Sequence, residues 1–139
     1  MTIKAKKSGR NQDAIWCDRR LLDCSFMGLC LTEPQFFAAM KKLGISREEA
    51  GRWTAGGDGA RTHFLTHEKH GRVAIVCINH RPGRTRHQIN ALLVHEAVHI
   101  WQVECEYMDE KNPGQEVEAF AIQSIAQTLM GEYWKAHQR

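Results

Sequence analysis

The sequence predicts an α+β domain in which a small antiparallel or mixed sheet packs on a buried helix and a C-terminal helix. Three observations carry this expectation. Two β-prone runs, 61–67 and 72–79, flank a short turn ending in Gly71. Apolar residues recur with helical spacing through 87–105. A second stretch of helical spacing fills 115–134. The length, 139 residues, suits one domain over 1–139 with room for a real core.

From the N-terminus, Met1 to Gln12 carries Lys4, Lys6, Lys7 and Arg10 without a following apolar run, so it reads as a flexible basic tail and not a signal peptide. Arg20 to Leu31 is apolar and rich in cysteine and reads as a buried strand or packed turn. Thr32, Pro34 and Gln35 form a helix start, Phe36, Phe37, Met40 and Leu43 give the stripe, and Gly44 ends it. Ser46 and Glu49 start a short second helix reaching about Trp53. Ala55 to Ala60, with three glycines, is a loop; no Lys-Ser/Thr follows, so it is not a phosphate cradle.

In the run 72–79, Val73, Ile75 and Cys77 alternate with Ala74, Val76 and Ile78, so both faces of that strand should be buried. The basic loop His80 to Arg86 is broken by Pro82 and Gly83. Ile89, Leu92, Leu93, Val94, Ala97, Val98, Ile100, Trp101 and Val103 surround the next helix almost completely, which predicts the central, buried helix of the domain. After the polar segment Met108 to Gly114, the last helix offers Val117, Phe120, Ala121, Ile125, Leu129 and Met130 as its packing face.

Composition narrows the function. The apolar and charged fractions, 42% and 25%, are those of a soluble globular chain, and no run is long enough to span a membrane. Five cysteines without a CxxC spacing argue for reduced thiols and a cytoplasmic protein. The net charge of +3 is small, and no aromatics interleave the N-terminal lysines, so nucleic acid is not the expected partner.

The chemistry lies in His95-Glu-Ala-Val-His99. Residues four apart share a helix face, so both imidazoles can address one ion, and Glu96 beside them can take a proton from water. Two histidines and a glutamate within an apolar helix would be costly to bury without a shared partner, and a zinc ion supplies one. A third protein ligand is then needed. Glu118 and Glu116, on different faces of the last helix, both follow the motif. Cys105 stands where an HExxHxxGxxH pattern would end, but Gln102 replaces its helix-breaking glycine, so Cys105 reads as a core thiol.

Eighteen residues separate His99 from Glu118-Ala-Phe-Ala121. With HExxH before it, this resembles the gluzincin arrangement of thermolysin-type and aminopeptidase-type zinc peptidases, over about a quarter of the chain. The chain is far shorter than the large members and resembles more the minimal zincins of bacterial and prophage proteins, some of which cleave regulators. The resemblance implies a zincin-like fold, Zn2+ held by His95, His99 and Glu118, Glu96 as catalytic base, and a peptide or protein substrate. It also implies an edge strand, 61–67 or 72–79, that aligns an extended substrate over the metal. The stabiliser of the transition state stays open among Tyr107, Tyr133 and His87. His63, His67, His70 and His80 are expected to be solvated, and the four tryptophans to pack. The alternatives are an inactive zincin-like binding or regulatory protein, phage-type included, and a nucleic-acid-associated protein using the basic tail and the loop 81–86.

Overall fold

β4 (Gly71–Ile78) organises the molecule, because its alternating side chains are needed on both faces. The computed structural model describes residues 13–17, 25–54, 59–79 and 83–137. The basic tail, residues 20–24, most of the glycine loop and residues 80–82, with His80, lie outside them. Val73, Ile75 and Cys77 join one core with Phe36, Ala39 and Met40. Ala74, Val76 and Ile78 join another with Leu93, Ala97, Ile100 and Trp101. The chain is thus mixed α+β, with helices on both faces of one four-stranded sheet.

β1 (Ile15–Trp16) pairs antiparallel with β2 (Phe26–Cys30), β2 runs parallel to β4, and β3 (Ala60–His67) is antiparallel to β4. The order β1-β2-β4-β3 makes β4 internal and β3 an edge. The expected hairpin is present, with His67 Nδ1 accepting from the backbone N–H of Lys69 and His70 to close the turn. Of the two candidate edge strands, only the first occupies an edge.

α1 (Glu33–Lys42) starts at Thr32, whose hydroxyl accepts from the N–H of Gln35. The Gln35 amide oxygen accepts from Leu31 N, one residue before the cap. α2 (Arg47–Ala50) is capped by Ser46 as expected but stops three residues short of Trp53, at Gly51 with φ +71°. α3 (Arg86–Tyr107) begins with a full capping box between Thr85 and Gln88. α4 (Gln115–His137) packs against α3. None of the helices among the described residues is long and apolar enough to cross a membrane.

Two expectations about helix faces are corrected. α3 is not buried all round: Ala91, Val94, His95, His99 and Gln102 are exposed. The sheet and α4 cover only two sides of a helix, and the third side opens to solvent. On α4, Ala121, Ile125 and Leu129 are buried, but Val117 and Phe120 are 52% and 60% exposed, so the packing face is narrower than expected.

Candidate metal centre

His95 and His99 project from the open side of α3, one turn apart, and their Nε2 atoms lie 3.0 Å from each other. Two nitrogens bound to one tetrahedral zinc, each about 2.0–2.1 Å from it, would stand about 3.3 Å apart, so the pair fits an ion with little movement. Gln102 Oε1, an acceptor, faces His99 Nδ1 at 3.1 Å. With the proton on Nδ1, that contact would serve as outer support for an imidazole that binds a metal through Nε2. Because both histidines are exposed, the cost of burying them does not argue for a metal.

Glu96 lines the same cleft as the two histidines. It is 4% exposed and accepts a hydrogen bond from Thr62 Oγ1 on β3 at 2.5 Å. Here burial does demand a partner, and the edge strand supplies one. Between β3 and α3 opens a cleft of about 910 Å³ whose lining includes Thr62, Phe64, Arg84, Leu92, His95, Glu96 and His99. Gly59 lets the two walls meet: a Cβ there would lie 2.8 Å from Leu92 Cδ1.

Glu118 stands in the first turn of α4, half-buried, and its Oε2 accepts from Trp101 Nε1 at 3.0 Å. It borders a separate pocket with Gln102 and Cys105. Glu116 is exposed in the same turn. Among the described residues no three His, Cys, Asp or Glu side chains converge as a ready metal cage. The two histidines therefore fit two positions of a zinc site, while the Glu118 carboxylate rests on a residue two positions beyond His99.

Compared with protein-family models, curated proteins and solved structures, the chain matches none.

Cys105 is half-buried against the core, and burial, then the charges of Glu118, Glu110 and Glu104, push its thiol up, as suits a packing cysteine. Cys30 and Cys77 are likewise free thiols and face each other across β2 and β4. None of Tyr107, Tyr133 and His87 lines the cleft. Tyr133 is fully buried, and the Tyr107 ring lies under the Arg72 guanidinium at 4.3 Å. His63 is not solvated: its ring packs on Phe36 at 4.6 Å and its Nε2 meets the Trp53 carbonyl. Burial is the main cause holding its pKa below the usual value.

Sequence reasoning missed Thr62 and Arg84. Nothing local marks a strand threonine as the partner of a glutamate on a later helix. Arg84 had a signal, its place directly before the Thr85 cap, which fixes it near the start of α3.

Proposed function

We propose that the chain is a zinc-dependent hydrolase that cleaves a peptide bond, with His95, His99 and Glu118 as metal ligands and Glu96 as general base. The observation that carries this reading is the pair of Nε2 atoms 3.0 Å apart beside a carboxylate held in the same cleft. Glu118 is the third ligand of choice because α4 brings it to Trp101, next to the exposed face of α3.

Zinc, when bound, supplies Lewis acidity, which brings water towards ionisation near neutral pH and polarises a carbonyl. The chain does the rest. Thr62 occupies Oε2 of Glu96, so Oε1 is the atom that takes the proton from water and later delivers it to the leaving amine. β3 has β4 on one side only, so its outer edge can pair with an extended peptide and lay it along the cleft. Phe64, 36% exposed, and Leu92 offer that peptide apolar contact.

The test is Glu96→Gln, which keeps the side chain's shape and an acceptor for Thr62. Zinc content by metal analysis should match the wild type, while hydrolysis of a protein substrate should fall by at least about a hundredfold. Full activity in this variant would remove Glu96 from the chemistry. A wild-type protein that binds zinc and cleaves nothing would be a binding protein on the same scaffold.

A further inference from the structure

The cleft holds a half-buried guanidinium, that of Arg84, whose purpose the hydrolytic chemistry leaves open. Arg84 lies at the end of the cleft where β3 begins, half-buried. Its Nη1 donates to the Asn79 carbonyl at 2.5 Å, and its Nη2 lies 3.0 Å from where a Cβ on Gly59 would stand. The guanidinium is therefore pinned between the exit of β4 and the entry of β3, in a gap only glycine leaves open. Among the described residues no carboxylate pairs with it; the ion pairs formed there involve Lys42, Arg72 and Lys135. The lining of the cleft carries two arginines, with Arg61 at the strand edge, against a single carboxylate, Glu96, which Thr62 already engages.

A fixed, half-desolvated guanidinium facing a cleft is preorganised for a carboxylate, since its planar fork loses little freedom on binding. We propose that the cleft selects peptides bearing a carboxylate within two residues of the cleaved bond, with Arg84 as the receiving group. Arg84 and Leu92 share the neighbourhood of Gly59, and Leu92 precedes His95 by about 4.5 Å along the helix axis. One residue of an extended peptide covers about 3.3 Å. The carboxylate can come from an acidic side chain or from the C-terminus of the peptide. This selection rests on the peptidase reading, and the experiment separates the two.

The full chain loaded with zinc is given three peptides of equal length: one neutral and amidated, one amidated with a glutamate beside the cleaved bond, and one neutral with its free C-terminus two residues beyond it. At least one carboxylate peptide should show about fivefold higher kcat/KM than the neutral one, the effect of one exposed charge pair, and the advantage should shrink with salt. In Arg84→Gln the ratio should fall to about one, and in Arg84→Lys part of it should return. Because a ratio is read, partial loss of folded protein does not mimic the result. The same peptides, labelled, are titrated against Glu96→Gln by fluorescence anisotropy. Cleavage of all three at equal kcat/KM overturns the selection and leaves the peptidase reading standing. Fivefold tighter binding of a carboxylate peptide without any cleavage by the wild type keeps the selection and removes the peptidase. Equal binding with no cleavage overturns the selection as well.

Discussion

Thr62 donates to Glu96 from a strand thirty-four residues earlier, and that bond decides where the carboxylate points. Glu96 is almost fully buried, so removing its partner strands an acceptor away from water at a cost of about 1–3 kcal/mol. Thr62→Val keeps the volume and removes the hydroxyl. The variant should unfold at lower urea by that amount, and kcat should fall by about tenfold with KM little changed, because an unheld base loses its aim and not its substrate. Thr62→Ser should restore both. An unchanged kcat in Thr62→Val would make the bond purely structural. His95, Glu96 and His99 were legible in the sequence because four-residue spacing is a local property of a helix. Thr62 and Arg84 were not, since their meeting with α3 depends on how the sheet packs. The misjudged exposure of the two histidines has the same origin: composition around the helix axis is local, but what covers each side is not.

The elements themselves were read well wherever backbone chemistry is local. Thr32, Ser46 and the turn before Gly71 marked their boundaries through side chains that bind backbone groups within three residues. The continuous apolar run of β4 announced burial on both sides, and both cores confirm it. The faces of α3 and α4 were read too generously, since Val94, Val117 and Phe120 share the helical spacing of core residues yet remain exposed. Glu118 and Glu116 make the same point about a helix face. Two positions apart on α4, they point about 160° away from each other round the axis, and only Glu118 turns toward α3, where Trp101 holds it. Glu118→Ala should therefore cost zinc affinity on the order of a hundredfold, while Glu116→Ala should change it by less than about threefold. Equilibrium dialysis against a zinc-buffered solution reads both. Equal affinities in the two variants would remove α4 from the metal site.

Across the whole molecule, α3 is fixed on the sheet by two buried carboxylates, Glu96 and Glu104. Glu96 reaches Thr62 on β3, and two turns further along Glu104, 2% exposed, meets Arg72 at the start of β4. Glu104 also accepts from the backbone N–H and the hydroxyl of Ser25, just before β2. Two segments far apart in the chain thus converge on one buried carboxylate of α3, an arrangement no local pattern could reveal. With both anchors turned sheetward, the rotation of α3 is set and its His95–His99 face must open to the cleft. Breaking a buried ion pair from one side leaves an uncompensated charge, which costs about 3–5 kcal/mol. Arg72 is about one-third exposed, so water can reach part of the vacated space, and Arg72→Met should lose about 3 kcal/mol in urea unfolding. Adding Glu104→Gln removes the charge while keeping an acceptor for Ser25, so the double variant should be more stable than Arg72→Met alone. If the second substitution lowered stability further, the pair would matter for its hydrogen bonds and not for the charge it neutralises.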